Sequence, residues 1–285
     1  MQTPDAAIVV QGLHKRYGDF EAVRGIDLEV QRGEIFALLG PNGAGKTTTV
    51  EILEGYRDRS DGSVSVLGED PADAGPAWRT RIGIVLQSTS DNADLTVDEV
   101  VRHFSTFYPA PRDLDHVVEA VGLTEKRKAR VRELSGGQRR RLDVALGILG
   151  DPELLFLDEP TTGFDPEARR QFWDLIESLR ADGTTILLTT HYLDEAERLA
   201  DRVGVIVDGR IVEVGEPRTL GGRHHEDTTV RWLEDGEHRT LRTASPTAAV
   251  LGLRERFGGE IPELTVLRPS LEDVYLQLID GTPQP

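Results

Sequence analysis

Ile35-Phe36-Ala37-Leu38-Leu39, followed by Gly40-Pro41-Asn42-Gly43-Ala44-Gly45-Lys46-Thr47, is the stretch of this 285-residue chain that decides its fold. A short apolar run, the length of a buried strand, passes through a glycine-rich loop into a segment carrying Val50, Ile52 and Leu53 at helical spacing. Gly-x-x-x-x-Gly-Lys-Thr between strand and helix is a phosphate cradle. Its glycines let backbone N–H groups turn inward, and the helix N-terminus adds partial positive charge. Lys46 suits the β- and γ-phosphates, and the Thr47 hydroxyl suits Mg²⁺. A glycine-rich turn of purely structural purpose is the competing reading. Strand before and helix after favour a bound nucleoside triphosphate.

Further along, residues 154–157 are all apolar and end in Asp158-Glu159. A buried parallel strand delivers its last residues to the crevice where the phosphate loop also opens. Asp158 is placed to hold the magnesium shell, and Glu159 to polarise an attacking water as general base. The alternative is that Asp158-Glu159-Pro160 only caps a strand; the phosphate loop upstream weighs against it.

Working outward, β-rich runs at 8–11, 25–30, 34–39, 63–67 and 82–86 precede a helical stretch at about 96–149. Thr96 reads as an N-cap ahead of the apolar stripe Val97, Val100, Val101 and Phe104, with Asp98 and Glu99 in the first turn. Strands at 154–157, 184–189 and 203–207 then alternate with helices at 168–179 and 192–199. Fully apolar strands alternating with helices predict a parallel sheet covered on both faces. The division expected is a nucleotide-binding domain at 1–220 with a helical lobe at about 88–150, a linker at 221–227, and a small α+β domain at 228–285. In the last, strands at 228–233 and 237–242 turn at Asp235-Gly236, and a helix (246–257), a strand (264–267) and a helix (270–279) follow.

The chain has no cysteine, which removes disulfides and thiolate metal sites together. Its start shows no basic-then-apolar signal pattern, and no apolar run approaches the ~18–20 residues of a membrane span. A soluble chain is expected, with any membrane role belonging to a separate partner. The net charge of −17, from 33 Lys+Arg against 50 Asp+Glu, disfavours nucleic acid and anionic lipid alike. One local exception is 126–141, with eight basic residues and one acid; it reads either as a solvated face or as an aid to capturing ATP⁴⁻. His224 and His225 lie in a glycine-rich stretch without a third ligand and read as solvated.

Leu134-Ser135-Gly136-Gly137-Gln138, between the phosphate loop and the acidic strand, resembles the signature motif of the ABC (ATP-binding-cassette) ATPases. Gln87 looks like that family's Q-loop residue, His191 like its switch histidine, and Gly163-Phe164-Asp165-Pro166 like its D-loop, with Phe164 where leucine is commoner. Tyr17 is placed like its adenine-stacking aromatic; the alternative is a strand-end core tyrosine. The likeness covers about 8–217 in five ordered motifs.

The resemblance implies an α/β P-loop NTPase core of ABC-ATPase type, an inserted helical lobe, and ATP and Mg²⁺ as cofactors. It implies Glu159, His191 and Gln87 in catalysis, and Thr47, Gln87 and Asp158 around the metal. The nucleotide would touch Tyr17, Gly40 to Thr48 (Gly40, Pro41, Asn42, Gly43, Ala44, Gly45, Lys46, Thr47, Thr48), and, from the opposite copy, Ser135, Gly136, Gly137, Gln138 and Asp165. It further implies a head-to-tail dimer, with itself or a related ATPase subunit, and no nucleic-acid partner. A separate transmembrane permease would dock near 88–107 and hold the chain on the cytoplasmic face of the membrane.

Arg268-Pro269-Ser270-Leu271-Glu272-Asp273-Val274-Tyr275-Leu276 resembles the tail of drug-resistance-type ABC exporters, including the daunorubicin-resistance group, and tilts the reading to export. Importer motors and non-transport ABC ATPases are the competitors. A regulatory GTPase is disfavoured, because no Asn-Lys-x-Asp is present.

Overall fold

The computed structural model describes residues 6–85, 93–222, 228–267 and 270–280. Gln87, His224, His225, Arg268 and Pro269 lie outside the described residues. The chain divides into two compact units, Met1–Val214 and Gly215–Pro285.

The first unit opens with β1 (Ala6–Tyr17) and β2 (Phe20–Gln31), an antiparallel pair, then β3 (Ile35–Leu39) and α1 (Lys46–Leu53). Next come β4 (Asp61–Val66), α2 (Pro76–Arg79) and β5 (Ile82–Val85). The lobe holds α3 (Val97–Ser105), α4 (Leu114–Ala120) and α5 (Gly136–Ile148). The chain returns through β6 (Leu154–Asp158), α6 (Pro166–Ala181), β7 (Thr185–Thr190), α7 (Leu193–Leu199), β8 (Arg202–Val207) and β9 (Arg210–Gly215).

Six strands form one sheet in the order β5-β6-β7-β3-β8-β9, with the pairs from β5 to β8 all parallel. Every residue of β3 and β7 is buried, as strands covered on both sheet faces require, and β7 buries three threonines with its apolar centre. A second, antiparallel sheet, β2-β1-β4, was not anticipated. Both long strands run 12 residues, well beyond the short runs the alternation suggests. The reason is visible at Gly12 (φ 54) and Gly25 (φ 76), beside register shifts between β1 and β2: each irregularity resets the two-residue period on which a strand is recognised. Strand β9 was missed because its residues alternate between exposed and half-buried; the signal lay in Asp208-Gly209, whose φ values of 47 and 76 are those of a tight hairpin turn.

Helix α3 starts where its sequence places it. Thr96 Oγ1 accepts from Glu99 N, and the Glu99 carboxylate accepts from Thr96 N, closing a capping box. Val97, Val100 and Val101 are buried beneath it.

The second unit carries β10 (Thr228–Glu234), β11 (Glu237–Thr243), α8 (Pro246–Phe257), β12 (Thr265–Leu267) and α9 (Leu271–Asp280). Its sheet runs β11-β10-β12, and Val230, Trp232, Leu253 and Ile261 make its core. The structural division falls six residues before the expected 220/221 boundary. Leu220 is buried, and a Cβ on Gly221 would stand 2.3 Å from Val274 Cγ1 of α9, while 223–227 of the expected linker lie outside the described residues.

Candidate functional site

The parallel register brings three strand ends to one crevice. Leu39 stands beside Thr190, and Asp158 beside Thr189, so the chain leaves β3, β6 and β7 at the same level. Gly40, Glu159 and His191 each follow within two residues of those pairs. This is where open parallel sheets hold their ligands.

The phosphate loop is tight where it must be. A Cβ on Gly40 would meet the Ile206 carbonyl at 2.3 Å, and one on Gly45 would meet the Ala22 carbonyl at 2.6 Å. Gly45 also sits at φ 103, outside the range of side-chain-bearing residues, and caps α1 with no side chain of its own. The helix therefore offers its first N–H groups uncapped by any side chain. Lys46 is buried, with Nζ donating to Gly40 O at 2.6 Å and Pro41 O at 3.1 Å. Burial holds its ammonium below the usual lysine range, opposed by the Glu159 and Asp158 carboxylates. Thr47 is exposed and Thr48 half-buried.

At the end of β6, Asp158 Oδ1 accepts from Thr189 Oγ1. Glu159 N donates to both Thr189 O and Thr189 Oγ1, each at 3.1 Å, and Glu159 takes φ 44, rare for a residue with a side chain. Its Oε2 lies 3.4 Å from His191 Nδ1, with the glutamate largely covered (17% exposed) and the histidine open (42%). Among the described residues no group of three or more His, Asp or Glu could cage a metal alone. A hydroxyl and a carboxylate beside a phosphate cradle do fit Mg²⁺, which keeps waters and shares substrate oxygens.

On α5, Ser135 Oγ accepts from Gln138 N at 3.2 Å and Gln138 Oε1 accepts from Ser135 N at 3.0 Å. Each thus caps the helix, while the Ser135 O–H remains a donor. Ser135, Gly136, Gly137 and Gln138 line a cavity of about 380 Å³ with Gly163, Phe164 and Asp165. Asp165 Oδ1 is engaged at the start of α6, accepting from Glu167 N and Ala168 N. Tyr17, at the β1–β2 turn, is 42% exposed, with Lys15 Nζ 5.1 Å and Arg57 Cζ 5.5 Å from its ring centre.

Part of the basic stretch is paired or buried. Arg127 pairs with Asp98 and Asp115, and Arg130 and Arg132 with Asp94. Arg140 is buried, donating to Asp158 O at 2.6 Å and Pro160 O at 3.0 Å. Lys126, Lys128, Arg130, Arg132 and Arg139 remain exposed, as a solvated face would have them.

Sequence reasoning missed Thr189, Arg140 and Glu54. Thr189 hid inside an apolar strand, and Arg140 among surface-like arginines. Glu54 is 8% exposed at the end of α1, and burial, with Asp158 and Glu51 adding repulsion, pushes its carboxyl up to about 8.

The ABC transporter family model matches residues 23–162. The daunorubicin resistance ATP-binding protein DrrA3 of Streptomyces coeruleorubidus is 37% identical over 96% of this chain and 96% of its own. The Nod factor export ATP-binding protein I of Cupriavidus pinatubonensis is 43% identical over 75% of this chain and 68% of its own. A solved ATP-binding subunit of an ABC transporter superposes with TM-score 0.72 over 95% of this chain and 99% of its own, at 24% identity. The chain belongs to the ATP-binding subunits of ABC transporters, in the branch of the exporter ATPases, and is an ATPase.

Proposed function

We propose that this chain hydrolyses Mg·ATP between two copies arranged head to tail and so drives a separate exporter permease. The observation that carries the reading is the 3.4 Å approach of Glu159 Oε2 to His191 Nδ1 beside the phosphate loop. A carboxylate so placed can take a proton from water, and a histidine donor beside it can hold a phosphate oxygen.

In this reading Tyr17 stacks on adenine, and the loop from Gly40 to Thr48 wraps the phosphates. Lys46, whose ammonium now bonds to the loop's own carbonyls, has donors ready to turn to the β- and γ-phosphates. Thr47, Asp158 and Gln87 would hold Mg²⁺, which neutralises charge on the phosphate oxygens. Ser135, Gly136, Gly137 and Gln138 of the other copy close the site with a hydroxyl and helix N–H groups, and Asp165 stands beside them. Among the described residues no helix is long and apolar enough to cross a membrane. The kinship with export proteins favours outward transport.

Glu159→Gln tests the reading. It should lower turnover by about 10²–10⁴ while ATP-dependent pairing of the chain persists in light scattering. A variant that hydrolyses ATP at the parent rate would show that the base lies elsewhere.

A further inference from the structure

His191 needs support that its own contacts do not supply. Its ring is open to solvent on one side, and a histidine that meets phosphate must be held to within about 0.5 Å to act. Besides Glu159 it meets the ring of Tyr192, centre to centre at 4.1 Å and tilted by 39°. On Tyr192 in turn lies the guanidinium of Arg169, its Cζ 4.3 Å from the ring centre.

Arg169 belongs to the first turn of α6, where its N–H bonds to Asp165 O at 3.0 Å. Its Nη1 reaches Asp194 at 3.3 Å, but its buried Nε has no hydrogen-bond partner among the described residues. Its hydrogen-bonding fork is only partly used, while its flat face lies on the Tyr192 ring. Tyr192 is fixed from below, its N–H donating to Thr190 Oγ1 at 3.0 Å. The two helices are held in register behind the stack. Trp173 Nε1 of α6 donates to Glu195 Oε1 of α7 at 3.2 Å, and Glu195 is fully buried.

We propose that Arg169 and Tyr192 are positioning residues for His191: the guanidinium holds the tyrosine ring, and that ring fixes the imidazole beside Glu159. This rests on the role given to His191 above. Because Asp165 caps α6, the stack also ties the imidazole to the loop containing Gly163 and Phe164.

The test is ATP hydrolysis by the full chain, in steady state for single variants and in single turnover for pairs with His191→Ala. Tyr192→Ala and Arg169→Gln should each lower kcat about tenfold with KM for ATP changed less than about twofold. Tyr192→Phe keeps the ring face and should stay near the parent rate. In the His191→Ala background, Tyr192→Ala should add no further loss, since both changes remove the same contribution. Should Arg169→Gln not fold, the half-buried Tyr192 carries the cycle alone. Parent-like kcat in Tyr192→Ala, or full additivity with His191→Ala, overturns the inference and leaves the proposed function standing. Parent-like kcat in His191→Ala overturns both.

Discussion

The hydroxyl of Thr189 donates to Asp158 Oδ1 at 2.5 Å, and the same oxygen accepts the N–H of Glu159. One fully buried side chain on β7 thus orients both acids at the end of β6. Thr189→Val preserves the shape and removes both bonds. A hydrogen bond to a charged group contributes about 1.5–3 kcal/mol, so turnover should drop at least tenfold while Thr189→Ser stays close to parent. Equal rates for the valine and serine variants would deny the hydroxyl this role.

Glu54 gives the fold a pH dependence whose sign follows from its raised value. The carboxyl titrates at about 8 in the folded protein against an ordinary 4.5, so between those values the folded chain holds a proton that the unfolded chain has released. Its contribution to stability is complete below about 4.5 and is lost as pH rises through 8. Glu54→Gln keeps the neutral form at every pH. Urea midpoints should show the variant more stable by about 1–3 kcal/mol at pH 8.5 and indistinguishable at pH 4.5. The same gap at both pH values would mean that charge is not the cause.

Gly45→Ala strains the phosphate loop twice, through φ 103 and through a 2.6 Å approach to the Ala22 carbonyl. We expect a loss of about 2–4 kcal/mol in stability and ATP affinity lowered at least tenfold, read by thermal unfolding and nucleotide titration. Gly43, where an added Cβ meets nothing within 4 Å, is the control for crowding: alanine there meets only the φ 80 strain and should cost less.

A chain ending at Glu216 removes all but the first two residues of the second unit and leaves every residue assigned to the phosphates in place. Its affinity for ATP should match the full chain within about threefold in equilibrium dialysis, as expected for units that fold around separate cores. A folded truncation that no longer binds nucleotide would require the second unit to contribute to the site.

The parts of the fold legible in the sequence were those carried by local chemistry. The apolar β3, the Thr96 cap of α3 and the Asp235-Gly236 turn each announce themselves within a few residues. The β2-β1-β4 sheet did not, because its strands pair across distant segments and its glycine irregularities break the alternation. At the site, the loop glycines, Lys46 and the two acids were readable as motifs. Thr189, Arg140 and Tyr192 were not, since their meaning comes from the register of β6 against β7 and from the packing of α6 on α7. A spacing in sequence names the group that reacts; only the neighbouring strand names the group that aims it.

Arg140 carries a last consequence. Taking a guanidinium out of water is costly, and this one is held by two backbone carbonyls at the exit of β6, five residues after Ser135 on the same helix. The helix behind the serine and the loop behind the glutamate therefore move as one strut. If two copies meet as proposed, neither can slacken its hold on its neighbour's fuel without jarring its own reaction, and the pair is geared to work by turns.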